Sequence, residues 1–355
     1  MPEVDRYVVL DGMRGIAALA VVQFHSHYLF SGARAASAYL AVDLFFMLSG
    51  FVLAHAYQER LRSRLSFWEF VRIRLVRLYP LYLLALGFSA SYQALNLVIM
   101  HPSFTFTQLV ATVAAALLFL PIPPGLSTIP GELFPLNIPA WSLFFELLAN
   151  VIFVVVSRRR GAGKGLAIAA GVLLVLGILF SGSADIGSSW ATFLAGLPRV
   201  IFSFFAGVWL FSVRLPQSAT PSTAVAAILG CLCLMLTLSP SSALRPWYDM
   251  AIVFIAFPLM IMTAATMRPA QFNGLLAFLG AISYGVYVLH LPIIVATGGL
   301  ADKILKLSLA DVGFWTGVAI MVMTIMAAWI ADRFYDRPVR AALSGKANRG
   351  PARAT

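Results

Sequence analysis

The chain has 355 residues, 61% of them hydrophobic and only 11% charged, with a formal net charge of +11. Water-soluble domains carry roughly 25% charged residues, so this composition excludes a soluble globular protein. The positive balance does not indicate nucleic acid, because the basic residues gather in short connections between apolar runs, as the positive-inside rule requires of a spanning protein.

Runs of about 18 or more apolar residues recur along the whole length, and strand patterning of about ten alternating residues is absent. The fold class expected is all-α: a polytopic membrane protein of about ten transmembrane helices plus a short re-entrant or tilted segment. Residues 1–340 read as one membrane domain and 341–355 as a basic, disordered cytoplasmic tail. Cys231 and Cys233 lie inside an apolar run and read as small core residues, with no disulfide. No histidine shows the i, i+4 spacing with an acid that marks a helix-borne zinc site, so no metal ligands are expected. Asp11 and the apolar spans that follow argue against a cleaved leader.

The first span, 12–30, carries charge where lipid disfavours it. Arg14 and His25 are eleven residues apart, about 16 Å along a helix and only about 20° around it, and Asp11 falls near the same stripe. Ionisable groups at such depth indicate a site facing a protein interior or a watery cavity, although an interfacial Asp11–Arg14 pair and a buried structural His25 remain the plainer alternative. The second span, 38–57, begins near Asp43. Asp43 and His25 are each nine positions from Arg34, so an antiparallel hairpin places them at similar depth. Asp43 then either orients the imidazole or caps its own helix. The strongest basic block follows: Arg60, Arg62, Arg64, Arg72, Arg74 and Arg77. It marks a cytoplasmic loop and puts the N-terminus on the same side. Arg74 and Arg77 share a helical face and either hold phosphates bidentately or serve topology alone.

A third span covers 78–100. The apolar stretch 108–120 is only about 20 Å long as helix, and five prolines between Pro121 and Pro135 follow it. The next span opens at Pro139 and ends at Arg158-Arg159-Arg160; it carries Ser142 and Glu146 on one face, with Glu146 expected in the outer half of the membrane. Later spans fall at 166–180, 190–213, 224–238, 250–267, 275–296 and 313–335. Arg199 is a further buried charge with no partner assignable from sequence. Ser283, Tyr287 and His290 lie along one face of their span, either as site residues or as an interfacial belt. The basic loops around Arg64 and Arg159 require an even number of crossings between them, so 108–120 is the stretch expected not to cross, and both termini are cytoplasmic.

Five segments in order, covering nearly the whole chain, resemble the integral-membrane acyltransferase family 3, whose members O-acylate sugars. They are Leu10-Asp11-Gly12-Met13-Arg14-Gly15 with His25, Asp43 through Phe51, Arg74-Leu75-Val76-Arg77 with Tyr79-Pro80, Trp141-Ser142-Leu143-Phe144-Phe145-Glu146, and Ile282 through His290. The resemblance implies a stand-alone acyltransferase unit in a bacterial inner (plasma) membrane. It implies a cytoplasmic acyl-CoA donor, acetyl-CoA first, used as co-substrate with no tightly bound cofactor, and a glycan or glycolipid acceptor. It points to His25, Glu146 and Asp43 for catalysis and to Arg14, Asp11, Arg74, Arg77, Trp141, Ser142, Ser49, Tyr284, Tyr287 and His290 for substrate binding. A sugar hydroxyl needs a base near neutral pKa, which histidine supplies, and the sequence does not decide whether His25 deprotonates the acceptor or is itself transiently acylated. Intramembrane charges also suit a transporter or a purely structural assembly protein, but the internal repeat common in transporters is not visible here.

Overall fold

The computed structural model describes residues 7–99, 103–159, 161–309 and 313–345. Their regular structure is almost entirely helical. In chain order they form α1 (Val8–His25), α2 (Ala41–Ser63), α3 (Phe67–Ile99), α4 (Phe106–Leu117), α5 (Ala140–Ser157), α6 (Ala162–Ser181) and α7 (Phe193–Ser212). The second half contributes α8 (Ser222–Thr237), α9 (Arg245–Ala251) running through a π turn into α10 (Phe257–Thr266), α11 (Asn273–Leu305), α12 (Phe314–Ala331) and α13 (Arg337–Gly345). Two three-residue strands, β1 (Ser218–Thr220) and β2 (Met267–Pro269), pair in parallel.

Nine helical segments among the described residues are long and apolar enough to cross a bilayer, which makes the chain an integral membrane protein. The tenth expected span is the 16-residue α8, and the stretch expected to fall short is the 12-residue α4, about 18 Å of helix. Cys231 and Cys233 are exposed on α8 instead of lying in a core, because that helix turns a large apolar face outward. Of the expected tail, residues 341–345 continue α13, while Lys346, Arg349 and Arg353 lie outside the described residues.

The largest boundary difference is at α3, which begins eleven residues before the expected start at 78. Its first turn is closed by a capping box. The Ser66 amide and hydroxyl donate to Glu69 Oε2 at 2.9 and 2.7 Å, and the Glu69 amide donates to Ser66 Oγ at 3.3 Å. Arg74 and Arg77 therefore share a helical face as expected, and Arg72 rides on the same helix. The Ser-x-x-Glu signal was present in the sequence. A second capping box, Thr105 with Gln108, starts α4. The free carbonyls at its other end are satisfied by α3: Tyr82 donates to Ala116 O at 2.8 Å and Tyr79 to Leu117 O.

α2 and α7 cross closely at the centre of the bundle. A Cβ on Gly50 would strike the Phe204 carbonyl, and one on Gly207 would strike the Met47 carbonyl, so only hydrogen fits at either position. Arg62 Nε donates to the Ser157 carbonyl at 3.0 Å, which joins the basic ends of α2 and α5 on one side of the bundle.

Candidate active site

His25 is the last residue of α1 and lies between α1 and α11. His290 of α11 is fully buried, with its Nδ1 2.7 Å from the Tyr287 carbonyl and its Nε2 3.2 Å from His25 Nδ1. A carbonyl only accepts, so His290 Nδ1 carries the proton and its Nε2 presents a lone pair. His25 Nδ1–H then donates to His290 Nε2 and shares the Val21 carbonyl at 3.0 Å. His25 Nε2 is left with the free lone pair of the neutral imidazole. Tyr287 and His290 are buried, which removes the interfacial-belt alternative.

His25 borders a cavity of about 590 Å³ at the C-terminal end of α1, called outer only for its distance from the chain's start, lined also by Tyr39, Trp141, Asp185, Ser188, Arg199 and Tyr287. A separate cavity of about 470 Å³ nearer the start of α1, called inner in the same sense, is lined by Arg14, Ser49, Ser142, Glu146, Ser283, Tyr284 and Tyr287 among others. Val42 and Tyr287 line both, so one layer of side chains divides the two. Tyr287 is held in place by a 2.7 Å hydrogen bond to Ser142 Oγ, whose own hydroxyl lies 2.9 Å from the Pro139 carbonyl.

Arg14 lines the inner cavity itself, and Arg74 and Arg77 stand behind its Glu146 and Tyr284. Arg74 Nη2 donates to Glu146 Oε1 at 2.7 Å, and Ser49 Oγ donates to the same oxygen at 2.8 Å. Arg14 lines the cavity within electrostatic reach of Arg77, Asp11, Glu146 and Arg74. Arg77 is 31% exposed, 3.6 Å from Asp336, with its guanidinium over the Tyr284 ring; the Tyr284 hydroxyl donates to the Leu78 carbonyl. Asp11 packs against α11 at Gly280.

Three expectations need correcting. Asp43 does not orient His25. It is fully buried and grips Arg199, whose Nη2 donates at 2.7 Å and Nε at 3.1–3.2 Å, while Ser203 Oγ donates at 3.1 Å. Two charges without water must be neutralised where they lie, and Arg199 is the cation that reaches Asp43. This also supplies the partner that the sequence left unassigned. Glu146 does not share the His25 cavity; it belongs with Arg74 and Arg14. Arg74 is only 12% exposed and is neutralised internally, so it is not a surface phosphate clamp.

Sequence reasoning also missed the loop over the outer cavity. Asp249 accepts from Ala184 N at 2.7 Å, Ser183 Oγ at 3.2 Å and Tyr39 at 2.6 Å, and Arg199 Nη1 donates to Ile186 O at 2.8 Å. These bonds pin residues 183–186 and present Asp185 to the cavity that contains His25. Asp185 is the one acid in the connection between α6 and α7, a signal that could have found it.

Comparison with known proteins gives the same direction. The chain is 42% identical over 183 residues to Protein 2 in the picA locus of Rhizobium radiobacter, covering 48% of this chain and 94% of that one. It is 24% identical over 362 residues to the peptidoglycan O-acetyltransferase OatA of Listeria monocytogenes, covering 93% of this chain, and it spans only 55% of that longer relative. The exopolysaccharide production protein ExoZ of Rhizobium meliloti is 28% identical over 267 residues, 73% of this chain and 78% of that one. No solved structure matches the chain. A family match described as "Acyltransferase domain" extends from residue 7 to residue 333, through both cavities and the histidine pair, and the chain accordingly belongs to the acyltransferase 3 family.

Proposed function

We propose that this protein transfers an acetyl group from acetyl-CoA to a hydroxyl of a glycan or glycolipid at or across the membrane. The observation that carries the reading is the free His25 Nε2 in a cavity that shares Val42 and Tyr287 with the one Arg14 lines. Coenzyme A is anionic, and Arg14 and Arg77 supply cations for it on the inner side. In the reaction, His25 Nε2 takes the proton of the acceptor hydroxyl as that oxygen bonds to the thioester carbonyl carbon. The C–S bond then breaks, and the imidazolium returns the proton to the departing thiolate. His290 Nε2 and the Val21 carbonyl both face His25 Nδ1–H and stabilise the transient imidazolium. Trp141 and Asp185 offer the outer cavity an aromatic face and a carboxylate, groups that suit a polyhydroxylated ring.

Purified protein incubated with radiolabelled acetyl-CoA and a glycan extract tests this directly. Label transferred to glycan supports the enzyme, substrate movement without transfer supports a transporter, and neither leaves a structural role. On the donor side, Arg77→Ala is expected to weaken acetyl-CoA binding about tenfold or more, the scale of a lost charge-assisted hydrogen bond. Arg77→Lys should recover only part, because a point charge does not replace a planar fork. Unchanged affinity in equilibrium binding would leave Arg77 a topological residue.

The same reading places both termini and both basic loops in the cytoplasm, supported by the Arg62–Ser157 contact between the ends of α2 and α5. Reporter fusions after Arg60, Arg160 and the C-terminus should all report cytoplasm; an external signal after Arg160 would overturn the even count of crossings.

A further inference from the structure

Two more cavities lie away from the histidine pair, side by side, and share two of their lining residues. At the basic end of the bundle, a pocket of about 710 Å³ is bordered by Arg62, Arg159, Lys164 and Trp209. A trough of about 1010 Å³ continues from it between α6, α7 and α10, and Lys164 and Trp209 line both. On α6 the trough follows Lys164, Ala167, Ile168, Gly171, Val172 and Val175, a single stripe at three- and four-residue spacing. From Lys164 to Val175 the helix rises about 16 Å, close to half of the roughly 30 Å hydrocarbon core, which is the depth of one leaflet. On α7, Trp209 lies at the basic end and Phe202 lies deeper, its ring 4.3 Å from that of Phe254. Among the described residues, Lys164 is the one charged residue along the trough.

The head of the groove is cationic and uncompensated. Among the described residues, none of Arg62, Arg159 and Lys164 meets a carboxylate within 4 Å. The trough opens sideways, since Ile168 and Val172 are 60% and 57% exposed. A soluble anion would find the cations but no use for the trough. A zwitterionic lipid would fill the trough but bring no net charge to the cations. We propose that the groove binds one anionic phospholipid, its phosphate among Arg62, Arg159 and Lys164 and an acyl chain in the α6–α7–α10 trough. Trp209 sits where the two parts meet, the depth at which tryptophan anchors to headgroups.

Native mass spectrometry of the full-length protein in non-ionic detergent tests the site, with phosphatidylglycerol and phosphatidylcholine of identical chains as probes. Phosphatidylglycerol should bind in preference, and Arg159→Gln and Lys164→Gln should each lower its affinity about fivefold, the scale of one basic residue at a membrane surface. Val172→Trp fills the trough from its exposed wall and should remove the bound lipid with every cation intact. Leu234→Trp, an exposed α8 position outside the groove, should leave binding unchanged. Equal uptake of the two lipids, or full binding by Val172→Trp, would overturn the proposal. Displacement of phosphatidylglycerol by acetyl-CoA at its own binding concentration would also overturn it and assign the cations to the donor.

Discussion

Replacing His25 by alanine is expected to reduce acyl transfer about 100-fold or more, the usual contribution of a general base, without changing expression or acetyl-CoA binding. The expectation follows from the proton assignment. Carbonyl oxygens fix the donor nitrogen of His290; its unprotonated Nε2 accepts from His25 Nδ1–H, which leaves the His25 Nε2 lone pair unengaged. The donor's cations belong to the other cavity, so binding and transfer should separate in this variant. His27 provides the control. It is two positions on, in a short 3-10 turn, with its Nδ1 3.1 Å from the Phe24 carbonyl and no contact with His290. His27→Ala should cost little. His290→Ala should slow transfer by a smaller factor than His25→Ala, because it removes the acceptor for His25 Nδ1–H but not the reacting nitrogen. Initial rates with saturating acetyl-CoA check all three. Equal losses at His25 and His27, or substantial transfer by His25→Ala, would return His25 to a structural role.

Asp43→Ala or Arg199→Ala is expected to destabilise the protein by about 3–5 kcal/mol, because each leaves an uncompensated buried charge. Both side chains have essentially no exposure, and Arg199 also bonds the Tyr39 and Ile186 carbonyls at 2.8 Å. Thermal unfolding in detergent should show a large drop in midpoint, or no monodisperse protein at all. Replacing both with apolar residues should cost less than the sum of the single changes, since the stranded charge disappears with its partner. Asp43→Asn separates this role from catalysis. Transfer per folded molecule should persist, whereas an acid that oriented His25 would take most of the rate with it. A normal midpoint in Asp43→Ala would show that the pair does not hold the fold.

Most spans were legible because lipid demands long apolar runs, and the runs are long. The stripe from Arg14 to His25 was legible because helical geometry fixes depth and angle along one element. Depth alone does not choose a neighbour. Asp43 and His25 were placed at comparable height, yet Asp43 meets Arg199, 156 positions away, and His25 meets His290, 265 positions away. Only the packing of α2 on α7 and α1 on α11 decides those partners. The misplaced start of α3 has a different origin. The apolar run starts only at 78, while the Ser66–Glu69 capping box starts the helix ahead of the arginines and Glu146 neutralises Arg74.

The α2–α7 crossing affects how inactive alleles should be interpreted. Gly50 follows Ser49, which bonds the Glu146 carboxylate, yet any side chain at Gly50 collides with the backbone at Phe204. A random-mutagenesis screen scored on product alone would therefore rank Gly50 and Gly207 beside His25. Membrane abundance, read in the same colonies, tells them apart: alleles at the glycines lose the protein itself, and those at His25 keep it.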